Sequence, residues 1–392
     1  MNWTNQGILI LLVLVASLAV AETSTPSTTV DCNNGQSLNS TLSKLNKQAP
    51  NTVTVSGTCT EYVQVIGFEN LILQGSSGAT LLQPSTGAGS LFNSLLYIES
   101  SRSVTVDGFS IQADTVTVPA VGIGHGSNDI RLRHLSVQGG TFGMAVFEGS
   151  QVSVAYVTAQ DPGYATLGIY DLSDVHVERS AFKNTTGALW HAGIDVGASH
   201  VTIYGTTIIN MQQGINAHGG SIVDLVTFDT YYASGGPTDV TINNAAGTNY
   251  NGVTIDTGGS LNVSTAKLVI NKPGQTWGGT TGGVLISDGA AMTVSNGYLV
   301  ITGSNGQGVM ALNNSHATLS GATVTGGSHG GLVAANLSSI DVSAGTILTL
   351  VGGNSVDLFC DPNSTITGSA NLSGVPTSSC TNLLAGETVT LP

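Results

Sequence analysis

The chain has 392 residues, of which 8% are charged and 41% hydrophobic, and 52 are glycine. This composition excludes a disordered chain and a protein of salt-bridged amphipathic helices, and it favours short strands joined by tight turns. The net charge of −14 argues against nucleic acid or a polyanionic polysaccharide as partner, because both require clustered cations or a bridging metal ion.

The first 21 residues have the pattern of an export signal. Residues 7–20 form an apolar run, and Ala19-Val20-Ala21 fits the small-x-small cleavage rule. The preceding MNWTNQ lacks Lys and Arg, so an uncleaved anchor is the alternative, although the run is short for a bilayer span. We expect a secreted, periplasmic or cell-surface protein with no transmembrane segment after cleavage. The polar residues 22–30 are expected to be a flexible lead-in, and residues 31–392 a single domain.

Both ends of that domain carry the features of caps. Leu38, Leu42 and Leu45 are spaced at i, i+4 and i+7 before Pro50, which predicts an amphipathic helix within an N-terminal cap at 31–60. Four cysteines allow three pairings, and proximity favours Cys32–Cys59 and Cys360–Cys380, the second closing a C-terminal cap at 360–392. Metal ligation is disfavoured because no close C-x-x-C pair is present, and we predict no metal site.

A repeated unit fills the chain between the two caps. A glycine followed by an aliphatic residue recurs every 21–38 residues, and an aliphatic-x-aliphatic strand lies between most pairs. The pairs begin at Gly122, Gly143, Gly168, Gly193, Gly214, Gly252, Gly283, Gly308 and Gly331. One such unit cannot bury its apolar side chains, but stacked units can. The two widest spacings predict longer loops at residues 228–250 and 273–282.

Strand texture such as GSNDIRLRHLSVQGG and SDVHVERSAFKNTTGALWHAGIDVG resembles the right-handed parallel β-helix proteins of the pectin-lyase-like superfamily, bacterial exported type. The resemblance extends from about residue 53 to 391. It implies an all-β solenoid of about 10–12 coils with an N-terminal capping helix.

Titratable and aromatic residues concentrate in the middle coils. Alignment on the Gly-aliphatic pairs predicts one wall that carries the catalytic candidates Asp171, Asp195, His191, His218 and Glu148, with Tyr170, Trp190 and Asn216 as substrate-binding candidates. Carboxylates one or two coils apart lie about 5–10 Å apart, which covers the separations used by glycosidases. The alternative interpretation is that these polar residues form turns at strand ends.

Two further patterns point to other chemistry. Polysaccharide lyases of the superfamily use Arg or Lys as the base, often with Ca²⁺, and Arg131 or Lys183 is the candidate here; a surface ion ladder is the alternative. Gly124-His125-Gly126 matches a short polygalacturonase motif, but the carboxylate segments that precede it in that family are missing.

Two function classes therefore follow. The first is an exported protein that binds or cleaves polysaccharide, as a glycoside hydrolase or a lyase, with Ca²⁺ as cofactor only in the lyase case. The second is a non-catalytic structural or adhesive surface protein. The expected partner is a polysaccharide or cell-surface glycan, with no nucleic acid, and the expected state is a monomer.

Overall fold

The computed structural model describes residues 27–85, 94–114, 117–186, 192–227, 239–243, 251–264, 266–271, 282–295, 298–304, 306–327, 331–349, 358–373 and 380. Its strands pair in parallel and form three ladders, which we call ladders 1, 2 and 3 in the order in which each coil visits them. One strand from each ladder makes one coil. The described structure is therefore a parallel β-helix solenoid, as predicted.

Ladder 1 contains the strands Ser27–Asp31, Asn51–Ser56, Leu71–Gly75, Arg102–Asp107, Asn128–Arg133, Gln151–Ala155, Asp174–Glu178, His200–Tyr204, Ile222–Leu225, Ser260–Ser264, Ala291–Ser295 and His316–Leu319. Ladder 2 contains Thr58–Cys59, Thr80–Leu82, Ser110–Gln112, Ser136–Gln138, Thr158–Gln160, Ala181–Lys183, Thr207–Ile209, Val240–Asn243, Lys267–Asn271, Tyr298–Ser304 and Thr323–Gly327. The long strand Ser339–Thr349 pairs with both ladders and joins them into one 25-stranded sheet, and Thr365–Ser373 pairs with its other edge.

Ladder 3 is a separate twelve-stranded sheet, which agrees with the expected 10–12 coils. Its strands are Val63–Ile66, Leu96–Glu99, Val121–Gly124, Phe142–Val146, Ala165–Tyr170, Ala192–Gly197, Gln213–His218, Val253–Ile255, Val284–Ile286, Val309–Leu312, Leu332–Ala335 and Leu358–Cys360.

The core consists of columns of aliphatic side chains that run along the solenoid. In ladder 1, for example, Leu132, Val154, Val177 and Ile203 pair in succession, and all four are fully buried. Side chains alternate between the two faces of a strand, so every second residue enters this core and the others face outwards. Burial of every second side chain therefore explains both the alternating sequence pattern and the register in which the coils stack.

The repeated glycines occupy two different positions in the coil. A Cβ atom on Gly193 would lie 2.6 Å from the carbonyl oxygen of Gly214 and 2.5 Å from Cγ2 of Ile208, so this corner excludes any side chain. Gly168, however, pairs with Asp195. The predicted alignment of the Gly-aliphatic pairs is therefore wrong by two residues at Gly168, and likewise at Gly122, which pairs with Ala145.

The N-terminal cap is built around a short helix, Leu38–Leu42, which is preceded by a 3₁₀ turn at Cys32–Asn34. The Glu61 carboxylate accepts hydrogen bonds from the Leu38 amide and the Ser37 hydroxyl at the start of the helix. Leu38 and Leu42 are buried against the first coil, as the spacing predicts. Because Ser27–Asp31 pairs with Thr52–Ser56 as a strand, the expectation of a flexible segment up to residue 30 is wrong from residue 27 onwards.

Both favoured disulfides are present, Cys32–Cys59 and Cys360–Cys380. The signal peptide and residues 22–26 lie outside the described residues, as does most of the C-terminal cap beyond residue 373. No helix within the described ranges is long and apolar enough to cross a membrane. The first predicted loop, 228–250, contains the ladder-2 strand Val240–Asn243. Residues 241–243 of this strand pair in register with Thr207–Ile209 of the preceding coil.

Candidate functional site

The outward face of ladder 3 carries aromatic rings that pack closely against glycines. A Cβ atom on Gly168 would lie 2.7 Å from the Tyr170 ring and 2.9 Å from the Phe142 ring. One coil later, a Cβ atom on Gly197 would lie 2.9 Å from Tyr170 and 2.8 Å from the His218 imidazole. The two glycines therefore form a floor on which side chains from three neighbouring coils, those of Phe142, Tyr170 and His218, converge.

Asp195 is at the centre of this surface. It belongs to the outward column of ladder 3, between Gly168 and Asn216, yet only 1% of it is exposed. Its Oδ2 accepts a hydrogen bond from the Tyr170 hydroxyl, and its Oδ1 accepts one of 2.7 Å from the Asn216 amide. His218 Nε2 lies 3.5 Å from the same Oδ1. Four of the predicted site residues, Tyr170, Asp195, Asn216 and His218, thus form one cluster.

Tyr170 enters the cluster although its backbone is out of register with Asp195. Tyr170 pairs with Gly197, two residues beyond Asp195. The side chain turns back across the glycine floor and thereby brings its hydroxyl to the carboxylate. Glycine at position 197 makes this possible, because any side chain there would occupy the path of the ring.

Burial and the nearby carboxylate make the aromatic hydroxyls weak acids. Burial, followed by the charge of Asp195 and the hydrogen bond to it, raises the pKa of Tyr170 far above its usual range. The negative charge of Asp195, followed by burial, also raises the pKa of Tyr164. Tyr170 therefore remains a hydrogen-bond donor at every physiological pH.

Phe142 and Tyr164 extend the cluster and were not among the predicted site residues. The Phe142 ring contacts Tyr164 edge-on at 5.3 Å and Tyr170 at 6.0 Å, measured between ring centroids. Tyr164 is 48% exposed, so one aromatic surface faces solvent beside the buried carboxylate. A sequence signal existed, since aromatic residues stand at or just before the first residues of two consecutive ladder-3 strands, Phe142–Val146 and Ala165–Tyr170.

Glu148 and Asp171 lie in the tight turns that follow ladder-3 strands. Both have a positive φ, +58° and +57°, and the Gly149 amide donates to the Asp171 carbonyl of the next coil. The Glu148 carboxylate accepts a hydrogen bond from the His125 amide and lies 2.7 Å from His125 Nδ1. These turn positions match the alternative interpretation, in which the two acids shape the backbone. Trp190 and His191 lie outside the described residues, in the connection that leads to Ala192–Gly197.

The residues considered for lyase chemistry lie on other faces. Arg131 belongs to ladder 1, in a column with Ser153 and His176, and forms an ion pair of 2.8 Å with Asp129 on its own strand. Lys183 belongs to ladder 2. Neither of these side chains shares the surface of Asp195.

A stack of side chains occupies the corner between ladders 1 and 2. The His134 and Tyr156 rings are stacked at 5.3 Å, and the Arg179 guanidinium lies 5.8 Å from the Tyr156 ring and 5.6 Å from the Tyr204 ring. His134, Tyr156 and Arg179 all have a positive φ, at a turn where Gly108 and Gly205 stand in the flanking coils. The contacts run along the solenoid axis, and Tyr156 remains 44% exposed.

Metal-ligating side chains do not converge on the ladder-3 surface within the described ranges. In the described ranges, the one group of three potential metal ligands is Cys32, Cys59 and Glu61 in the N-terminal cap, and its two sulfurs are bonded to each other. A disulfide is not a metal ligand set, since thiolates are the ligating form.

Comparison with known protein families gives the same fold for the middle of the chain. Residues 70–229 match the family described as a right-handed β-helix region. The catalytic unit of a GH87 α-1,3-glucanase from Streptomyces thermodiastaticus strain HF3-3 is similar with a TM-score of 0.46 and 15% identity, over 90% of this chain and 68% of that one. No curated protein sequence matches this chain.

Two other solved structures are similar at comparable levels. The surface adhesin PfbA of Streptococcus pneumoniae has a TM-score of 0.44 and 12% identity, over 87% of this chain and 93% of that one. The pectate lyase Bsp165PelA from Bacillus sp. N165, solved with trigalacturonate, has a TM-score of 0.38 and 10% identity, over 56% of this chain and 81% of that one. With three parallel ladders and a match to the right-handed β-helix family across its middle coils, the chain folds as a right-handed parallel β-helix.

Proposed function

We propose that the protein binds a polysaccharide on the outward face of ladder 3, at the cluster of Phe142, Tyr164, Tyr170, Asn216 and His218 around Asp195. The observation that carries the proposal is a carboxylate, 1% exposed, on the outer face of a solenoid strand, held by side chains from two neighbouring coils. Burying a charge costs free energy that an apolar residue would not cost. Such arrangements concentrate at functional sites.

The chemistry of the cluster suits a sugar. Aromatic rings offer apolar faces to the C–H faces of a pyranose, and Tyr164 presents such a face to solvent. Asn216, Tyr170 and His218 supply hydrogen-bond donors and acceptors that match sugar hydroxyls. Asp195 fixes the orientation of these groups, so they would meet a ligand in one arrangement and lose little entropy on binding.

Binding is better supported than cleavage by the carboxylates. A glycosidase presents two carboxyl groups to the scissile bond, about 5–10 Å apart. Here both oxygens of Asp195 already accept hydrogen bonds from the protein, and Asp171 lies in a turn. Asp195 is therefore assigned a positioning role.

Cleavage is a second candidate because of His218. Its imidazole is 39% exposed on the side chain, and its Nε2 lies 3.5 Å from Asp195 Oδ1. A carboxylate that orients a partly exposed imidazole is the arrangement of a general base, and such contacts often shorten when substrate binds. His218→Gln tests this candidate, because glutamine keeps a hydrogen-bond donor and acceptor for the sugar but cannot take up a proton. Release of reducing ends or unsaturated products should then be abolished while the polymer is still bound.

The test of binding compares Tyr164→Ala with Tyr298→Ala in affinity electrophoresis through gels that contain polysaccharides. Tyr298 is a matched control because it is also exposed, but on ladder 2. Loss of one aromatic contact removes about 1–1.5 kcal/mol, so retardation by a bound polymer should weaken roughly 5- to 10-fold in Tyr164→Ala only. Equal retardation of both variants would contradict the proposal.

The site of action is proposed to be outside the cytosol. Two disulfides staple the two ends of the described structure. Disulfides persist in oxidising compartments, which supports export and a glycan partner at a cell surface or in the medium.

A further inference from the structure

Positive charge is segregated away from the ladder-3 face. None of its twelve described strands contains Lys or Arg. Of the nine Lys and Arg residues in the protein, two lie in the N-terminal cap (Lys44 and Lys47), and six lie on the other two ladders or the turn between them: Arg102, Arg131, Arg133, Arg179, Lys183 and Lys267. The ninth, Lys272, lies outside the described residues, in the connection that leads to Val284–Ile286, three coils beyond Asp195.

Negative charge, by contrast, follows ladder 3 along the solenoid. Glu99 and Asp195 are on its strands, and Glu148, Asp171, Asp256, Asp288 and Asp361 are in the turns that follow them. The ion pairs made by the acids of this face join them to histidines, His125 and His218, within the described residues. At neutral pH the surface that carries the aromatic cluster is therefore acidic.

A polymer bound along ladder 3 would be exposed to the negative electrostatic potential of these carboxylates over its whole length. A uronate or sulfated chain on ladder 3 would bring one negative charge per charged sugar towards a row of carboxylates. Like charges across a binding surface select against such a partner, by about 10-fold or more in affinity. An uncharged chain meets no such barrier and can use the aromatic rings, amides and hydroxyls already described.

We propose that the ligand of the ladder-3 face is an uncharged polysaccharide, and that its charge distribution rejects uronate and sulfated chains. This inference rests on the proposed function and adds the substrate class. The net charge of −14 alone would not give this inference, because the other faces carry cations that could bind an anionic ligand, namely Arg131, Arg133, Arg179 and Lys183. The aromatic cluster has no such cation beside it on the ladder-3 strands.

The experiment measures affinity of the full-length protein for polymer pairs that differ only in charge. Polygalacturonate and alginate are each compared with their carboxyl-reduced forms, with dextran and xylan as further neutral chains. Each titration is run at low and high NaCl, with EDTA and with CaCl₂. The variants are Tyr164→Ala, the charge reversal Glu99→Lys/Glu148→Lys, and the control reversal Asp129→Lys/Asp341→Lys, whose two positions lie on ladder 1 and on the part of Ser339–Thr349 that pairs with it.

The expected result is binding to a neutral chain that is unaffected by NaCl and about 5- to 10-fold weaker in Tyr164→Ala, with affinity for the charged partner about 10-fold lower or more. The reversal on ladder 3 should narrow that gap, and the control reversal should not. Tighter binding of the charged form, with or without CaCl₂, together with the same weakening in Tyr164→Ala, overturns the inference and leaves the proposed function standing. Binding to no polymer, or binding that Tyr164→Ala does not change, overturns the proposed function and the inference with it.

Discussion

Gly168 and Gly193 each precede isoleucine in the sequence, yet we expect them to respond differently to alanine. The Gly193→Ala methyl would meet the Gly214 carbonyl oxygen at 2.6 Å, and this oxygen is part of a backbone held on both sides by the stack. The Gly168→Ala methyl would meet the rings of Tyr170 and Phe142, which can rotate away. The first change strains the coil, whereas the second displaces the proposed binding surface.

The magnitudes follow from those contacts. Overpacking against a fixed backbone costs about 1–3 kcal/mol, and the lower entropy of the unfolded alanine chain returns about 0.4–1 kcal/mol. Gly193→Ala should therefore lower the free energy of unfolding by roughly 1–2 kcal/mol. In Gly168→Ala the displaced Tyr170 ring can no longer reach Asp195, and loss of this hydrogen bond to a buried carboxylate costs about 1–3 kcal/mol. Gly168→Ala should therefore lose a comparable amount of stability and, unlike Gly193→Ala, should also lose polysaccharide retardation.

Urea unfolding and affinity electrophoresis of both variants provide the test. If Gly193→Ala loses polysaccharide retardation as fully as Gly168→Ala does, the distinction between a backbone corner and an aromatic floor is refuted. If Gly168→Ala keeps full retardation on a polymer that the wild type binds, the glycine floor has no part in binding.

Three further predictions concern stability. The folded-state pKa of Tyr170 lies above the unfolded value of 10.0, so the contribution of its hydroxyl to stability is complete below pH 10 and is lost as the pH rises above it. In urea titrations at alkaline pH, the free energy of unfolding of the wild type should fall by about 1.4 kcal/mol more per pH unit than that of Tyr170→Phe, from about pH 10 upwards. Tyr156→Ala should be about 1 kcal/mol less stable than Tyr156→Gly, because both lose the contacts with Arg179 but only glycine relieves the positive φ of +57°. Replacing Cys32 and Cys59 by serine should cost about 3.5 kcal/mol, from the 27-residue separation that the bond closes.

Each of these has a result that would count against its physical basis. Parallel alkaline profiles of the wild type and Tyr170→Phe would mean that this hydroxyl titrates as it does in the unfolded chain. Equal stabilities of Tyr156→Ala and Tyr156→Gly would remove the argument from backbone conformation. An unchanged urea midpoint for Cys32→Ser/Cys59→Ser would mean that the first coil stays closed without its covalent link.

The cluster was only partly accessible to sequence reasoning. The columns of aliphatic residues identified the coil and hence the neighbours Asp195 and Asn216, since pairing in a parallel stack follows from the repeat. The same reasoning placed Tyr170 in line with Asp195, and there it was two residues wrong. It also grouped Glu148 and Asp171 with the cluster, because it could not separate a strand end from the turn that follows.

What the sequence alone determined is the parallel β-helix, its capping helix and its two disulfides, because strand alternation, repeat length and cysteine proximity are local properties of the chain. What only the tertiary structure decided is the role of each repeated glycine. Gly168 and Gly193 are indistinguishable in sequence, and the difference between them is the identity of the atom that a methyl group would meet in the neighbouring coil. The space above Gly168 allows the Tyr170 ring to turn back to Asp195 and to pack beside Phe142 and Tyr164. An alignment of the sequence repeats does not contain the direction of a side chain.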